Sequence, residues 1–286
     1  MRTLLTIAGV IALSGCVIVS TGGDTDAVSY ASHSSTGVQG NDQVVHELRA
    51  VGKLGGLEVS GPIQVEVLVG ESASLDIETD SNLLPLVHSD TSGDTLKLWV
   101  DGGVRSRNGI RVTYRVPQLH TLKSVGSSRI VVNGLAGGKL AVTNSGSAPI
   151  QLAGRVSYLD VNQFGSGSVN AAALSSDTAN ASLSGSGRLT LGQVRGDTLS
   201  AELRGSGAIS ANGSVRKLTV QLSGSGNVQF DSLDSDAADL SSNGSGSIAA
   251  AVGQKLVAQS KGSGRITVRG NPSQRNISGK NVSVVE

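Results

Sequence analysis

Residues 185–224 read GSGRLTLGQVRGDTLSAELRGSGAISANGSVRKLTVQLSG, two units that each open with Gly-Ser-Gly and then alternate apolar with polar residues in two short runs. Leu189 and Leu191 lead to Leu199, Ala201 and Leu203 in the first unit; Ile209 and Ala211 lead to Leu218, Val220 and Leu222 in the second. A period of two belongs to strands with one side facing a core. Outward from this stretch the same punctuation begins at Gly126, Gly146, Gly165, Gly185, Gly205, Gly224, Gly244 and Gly262, at intervals of 20, 19, 20, 20, 19, 20 and 18 residues. A repeat of this length marks a solenoid. Counted from the first glycine, positions five and seven are Ile130/Val132, Ile150/Leu152, Val169/Ala171, Leu189/Leu191, Ile209/Ala211, Val228/Phe230, Ile248/Ala250 and Ile266/Val268. Stacked coils place these like residues over one another. Leucine-rich repeats are close in period, but helix-forming stretches and the run of leucines they need are missing here. The pattern therefore predicts an all-β chain, a parallel β-helix (β-solenoid), with a right hand expected from the general preference of parallel crossovers.

The punctuation has a physical reason. A coil turns sharply at one place on every lap, and glycine reaches positive φ where other residues resist it. The second position is serine every time: Ser127, Ser147, Ser166, Ser186, Ser206, Ser225, Ser245 and Ser263. At a coil spacing of about 4.8 Å these hydroxyls are expected to form a ladder that satisfies neighbouring turns. The nucleophile-elbow pattern Gly-x-Ser-x-Gly does not occur at these sites, and eight equivalent serines do not single out a nucleophile.

Residues 44–125 lack Gly-Ser-Gly yet carry strand-like alternation at Leu57 to Val59, Ile63 to Val67, Leu75 to Ile77, Leu96 to Val100 and Ile110 to Val116. They read as irregular N-terminal coils or a cap, with Trp99 outside the inward alternation as a cap or surface-groove residue. At the other end NPSQRNISGKNVSVVE departs from the repeat in 126–286 and is expected to cover the last open coil, because an exposed sheet edge invites association.

Composition agrees with this architecture. Of 286 residues 39 are Gly, aromatics are 2% and charged residues 16%, against roughly a quarter charged in an ordinary soluble domain. Formal charge is +1, and without residues 1–15, which hold Arg2 and no acid, 22 basic residues face 22 acidic ones. A neutral chain has no long-range electrostatic reason to seek nucleic acid or anionic lipid. Arg2 is followed by the apolar run Leu4 to Leu13, half of a membrane span but the length of a signal-peptide h-region. Directly after it, Leu13-Ser14-Gly15-Cys16 resembles the lipobox of bacterial lipoproteins, which implies a signal peptide over 1–15 and diacylglycerol on Cys16. Cys16 is the only cysteine, so no disulfide forms within the chain. Val17 rather than Asp follows it, and the resemblance then implies the outer membrane of a Gram-negative envelope. Residues 16–43, polar and rich in Ser, Thr and Gly, read as a flexible tether.

The order of Glu78-Thr79-Asp80-Ser81-Asn82-Leu83-Leu84, then Asp94 to Leu98, then Val116-Pro117-Gln118-Leu119 leading into Gly126, resembles the GIN-domain family, the auto-transporter adhesin head domain of bacterial envelope proteins. The likeness covers roughly residues 47–270. It implies a secreted or surface-attached β-helix and carries no active-site motif. Ser128 and Ala148 stand where the first two turns would carry their second glycine, a departure that bears on local turn geometry.

The polar residues separate the function classes. His33, His46, His88 and His120 have no metal-ligand spacing, and Asp231, Asp234, Asp236 and Asp239 lack the nonapeptide repeat of calcium-binding β-rolls, so no metal and no cofactor is expected. Position six of each coil, on the outer side, reads Val131, Gln151, Asn170, Thr190, Ser210, Gln229, Ala249 and Thr267; the matching row of the second run reads Thr143, Asn162, Ser182, Glu202, Gln221, Ser241 and Gln259. Glu202 is the one ionisable group among these fifteen. Paired carboxylates for polysaccharide cleavage are not visible there, nor are aromatics on which sugars stack. Threonines do not form the regular paired rows of an ice-binding solenoid. The reading is a non-catalytic, lipid-anchored envelope head, an adhesin or surface structural module. Its candidate contact surface is Gln151, Asn170, Thr190, Ser210 and Gln229, facing a glycan or protein partner. The alternative is a polysaccharide-binding or polysaccharide-modifying β-helix with its site in the irregular region 80–125.

Overall fold

The structure, a computed structural model, describes residues 37–285; the expected signal peptide, Cys16 and most of the expected tether lie outside them. Between one Gly-Ser-Gly and the next the chain is almost continuously extended, in the coils Pro149–Gly165, Ser168–Gly185, Arg188–Gly205, Ala208–Gly224, Asn227–Gly244 and Ser247–Gly262. Each coil pairs in parallel with the next, turn glycine on turn glycine. The chain is the expected parallel β-solenoid, and the residues at positions five and seven of all eight units are buried. Its core is an aliphatic column, with Tyr114 and Phe230 the largest side chains fully inside.

The turns are joined through the backbone and not through serine hydroxyls. The carbonyl of Gly185 accepts from the N–H of both Ser206 and Gly207, at 3.0 and 3.1 Å, and the Gly205, Gly224, Gly165 and Gly146 carbonyls likewise accept two bonds from the following turn. The serine side chains point outward and are exposed in all eight turns; Ser263 and Ser245 form a hydroxyl pair, at 3.1 Å. The expected hydroxyl ladder is therefore replaced by a main-chain ladder, because a glycine in each of these turns lets one backbone lie directly on the next. At Gly187 the space for a Cβ is filled by the Gly167 carbonyl oxygen. Where Ala148 takes that third position, Gly126 O accepts from Ser147 N at 2.9 Å and the second bond is not formed.

Rungs before residue 126 do not follow chain order. Gly56–Ser60 and Ile63–Val69 pair in parallel with Thr121–Gly126 and Arg129–Ala136 on one side, and with Thr95–Val100 and Ile110–Val116 on the other. An earlier rung thus lies between two later ones. Antiparallel strands close this end: Ser74–Asp80 on Ile110–Val116, Val44–Arg49 on Ser74–Asp80, and Val87–Ser92 on Thr95–Val100. Trp99 is half-buried there, stacked on His88 at 5.2 Å, and donates its indole N–H to Asp101 at 3.2 Å.

The expected boundary of the tether needs correction. Residues 37–43 are part of the head and not the end of a tether. Gly37–Gln39 pairs in parallel with Gly103–Arg105, which has a free edge, and Asn41 N donates to Asn82 Oδ1 at 3.0 Å. Beneath them the carboxylate of Asp80 is fully buried and accepts from Ser106 Oγ at 2.5 Å and Asn108 Nδ2 at 2.8 Å. Gly40 leaves the space this carboxylate occupies, since its Cβ would sit on Asp80 Oδ2. Breaking a buried charge-assisted network costs about 1.5–3 kcal/mol per hydrogen bond. Asp80→Ala is expected to lower the unfolding free energy by about 3 kcal/mol, and Asp80→Asn, which keeps an acceptor, by less; urea denaturation reads both. At the carboxyl end, Gln274–Ser278 and Val282–Val285 lie on the last coil. They pair in parallel with Ser247–Gly262 and Arg265–Arg269 and extend the stack by one more rung.

Candidate contact surface

The strand register builds the outer rows directly. Val131, Gln151, Asn170, Thr190, Ser210, Gln229, Ala249 and Thr267 are successive partners across adjacent coils. Gln151, Asn170 and Gln229 are exposed, and Thr190 and Ser210 are half-buried. Asn170 Oδ1 accepts from the backbone N–H of Ala172 at 3.0 Å, which fixes the amide and turns its NH2 outward. Ser210 Oγ lies 3.5 Å from Thr190 Oγ1. The row of the second run, Thr143, Asn162, Ser182, Glu202, Gln221, Ser241 and Gln259, is equally in register on another face.

The position-six row continues past Val131 in a direction that the repeat does not reveal. Val131 is followed by Glu66, then Thr113, then Asp76. Around these residues lies a depression of about 480 Å³, lined also by Glu78, Arg111 and Arg129. Arg111 is paired with Glu78 at 2.9 Å, and Asn133 Nδ2 reaches Glu66 at 3.4 Å. Asp76 Oδ1 is buried without a hydrogen-bond partner, the His46 imidazole being 3.7 Å away. A second depression of about 240 Å³ shares Val131 and holds Gln151 and Asn170 above Ala153, Ala172 and Ala173. Sequence reading misses Glu66 and Asp76 because they lie on strands whose place in the stack is out of chain order.

Two other clusters sit elsewhere. The 18-residue spacing from Gly244 to Gly262 shortens one corner, and the register slips between Phe230 and Asp234. A notch of about 600 Å³ results, bounded by Arg216, Asp234, Asp236 and Arg269. Arg269 reaches across the short coil to the Asp231 carbonyl at 2.8 Å and Asp234 at 3.3 Å, so the acidic corner is partly closed by an ion pair. In the region 80–125, His120 Nε2 lies 2.7 Å from Asp94 Oδ2, and Asp94 Oδ1 accepts from Gly55 N at 2.9 Å. The Gly55 N–H and the imidazole together hold the Asp94 carboxyl below its usual range. Burial, with the Asp94 charge second, pushes the Tyr114 hydroxyl up to about 12. This cluster fastens residue 55 to the start of Thr121–Gly126. No group of three or more His, Cys, Asp or Glu side chains is arranged to hold a metal ion among the described residues.

Comparisons with known proteins agree with this architecture. The model of the family described as "Putative auto-transporter adhesin, head GIN domain" matches residues 54–195 and 173–272. The crystal structure of a "putative lipid binding protein" from Parabacteroides distasonis superposes with a TM-score of 0.64 at 20% identity, covering 87% of this chain and 99% of that one. A "putative adhesin" from the same species gives 0.62 at 20% identity over 86% and 98% of the two chains. Another, from Parabacteroides merdae, gives 0.58 at 20% identity over 86% and 97%. At this identity the likeness concerns the fold. No curated protein matches the sequence.

Proposed function

The chain belongs to the GIN-domain family of adhesin heads, which places it among cell-surface or envelope proteins, and on that premise we propose that it is a non-catalytic head, held on the outer membrane by lipid at Cys16, that attaches the cell through one side face of its solenoid. The observation that carries this reading is the row Gln151, Asn170, Thr190, Ser210 and Gln229, uncharged polar groups in strict register on neighbouring coils. They recur at about 4.8 Å. One exposed hydrogen bond nets only about 1 kcal/mol, so a single rung holds nothing. Many rungs on many anchored copies act together, and linkage to one membrane raises their effective concentration. Lipid anchoring suits such a head because it fixes every copy to the same surface.

The test is gain of attachment. Cells that lack the protein are made to display the full chain and are scored on glycan-coated surfaces, abiotic surfaces and neighbouring cells. Displaying cells are expected to be retained at least severalfold better on one of these. Equal retention on all three would refute the adhesin reading and leave a structural role in the envelope.

A further inference from the structure

We infer that the amino-terminal end of the contact row is a binding groove for an extended, neutral oligosaccharide; this deepens the adhesin reading and rests on it. The two depressions described above adjoin at Val131, which lines both. Along them a single register row runs through Asp76, Thr113, Glu66, Val131, Gln151 and Asn170. Five strand spacings give a span of about 24 Å, long enough for a chain of sugar rings and far more than one ring needs.

The chemistry of the walls selects the ligand. Asp76 lines the groove with a partly exposed carboxylate whose Oδ1 is turned inward beside the His46 imidazole, 3.7 Å away, and it is a first acceptor. Glu66 is a second acceptor, held only by the long contact from Asn133. Arg129, exposed on the next strand, makes no ion pair among the described residues and can only donate. Further along, the fixed Asn170 amide presents its NH2. The acceptor-only carboxylates stand at one end and the donors beyond them, and a sugar hydroxyl, being both donor and acceptor, pairs with either. An anionic chain meets two carboxylates at one end, and a polyamine meets the guanidinium. Between them Val131 and the alanine floor supply an apolar strip for the C–H face of a sugar. Without aromatic rings to stack on, each ring contributes little, so binding is weak for one head and strong only for many.

The experiment uses the full chain in liposomes, with three probes: a neutral hexose oligosaccharide series, a uronic-acid series and an amino-sugar series. Retention on the liposomes is compared for wild type, Arg129→Ala, and Ala172→Ile, which fills the exposed floor without adding an aromatic ring. Circular dichroism confirms the fold of each. The neutral series is expected to bind best, with retention rising with length, and both variants are expected to lose at least tenfold. Preference for either charged series, absence of binding by all three, or binding unchanged in Arg129→Ala or Ala172→Ile would overturn the groove. Attachment of whole cells is scored separately: cells that still attach while no oligosaccharide binds would leave the adhesin reading standing and remove only the groove.

Discussion

Gly205→Val is expected to lower the unfolding free energy of the head by roughly 4 kcal/mol, the sum of a backbone cost of about 1–3 kcal/mol and an overpacking cost of about 1–3 kcal/mol. Gly205 sits at φ +115°, and its Cβ would lie 2.5 Å from the carbonyl oxygen of Gly185 in the preceding turn. That oxygen cannot retreat, because it accepts the N–H groups of Ser206 and Gly207. The added side chain therefore pries two coils apart, and in a solenoid each coil is stabilised only by its neighbours. Gly126 provides the internal comparison. Its φ is +93°, but the nearest atom to its Cβ is 3.9 Å away. Gly126→Ala is expected to cost only the backbone share, about 1–3 kcal/mol, and the exposed Ser206→Ala to stay within about 0.5 kcal/mol. Urea denaturation of the three variants separates the contributions. Equal losses at Gly205 and Gly126 would show that the close approach between turns is not what the glycines serve.

The second large effect concerns location. Cys16→Ala is expected to abolish incorporation of a fatty-acid analogue and to move the protein from the membrane pellet to the soluble fraction. At about 0.8 kcal/mol per buried methylene, two acyl chains make release negligible, and without them a chain whose 22 basic and 22 acidic residues balance has no long-range attraction to an anionic membrane. Labelling that survives the substitution would remove Cys16 as the lipid site.

The regular half of the fold is legible because one signal repeats eight times: the glycine interval sets the register, and the register sets which of Leu189, Thr190 and Leu191 faces in. The opening half is not. Leu75 to Ile77 and Leu96 to Val100 show that strands are present, but alternation carries no direction. Nothing in it says that Ser74–Asp80 runs antiparallel, or that Ile63–Val69 lies beside Arg129–Ala136. That order places Glu66 and Asp76 at the end of the contact row. Asp80 was open to recognition only as part of a resemblance; its role as a buried clasp for residues 37–43 depends on Ser106 and Asn108, far away in sequence. The notch at Arg269 has a sequence signal, the interval of 18 where its neighbours are 19 or 20, since two missing residues must open a corner. The buried pair of Asn144 and Gln163, bonded at 2.8 Å, has none: these residues share an inward row with Leu183, Leu203 and Leu222, and polarity alone gives no reason to place them inside.

Contact through one side face of the solenoid is distinguished from contact through another by giving each of two faces a ladder of alternating charge, which avoids like charges on neighbouring strands. One variant carries Gln151→Lys, Asn170→Glu, Thr190→Lys, Ser210→Glu and Gln229→Lys. The other carries Asn162→Glu, Ser182→Lys, Gln221→Lys, Ser241→Glu and Gln259→Lys, with native Glu202 completing the alternation. Both are displayed on cells at equal density, with circular dichroism confirming the β-solenoid. Attachment is expected to fall at least tenfold for the first and to remain at the wild-type level for the second. Attachment unchanged in the first variant, or lost equally in both, would contradict the assignment of the contact to this face.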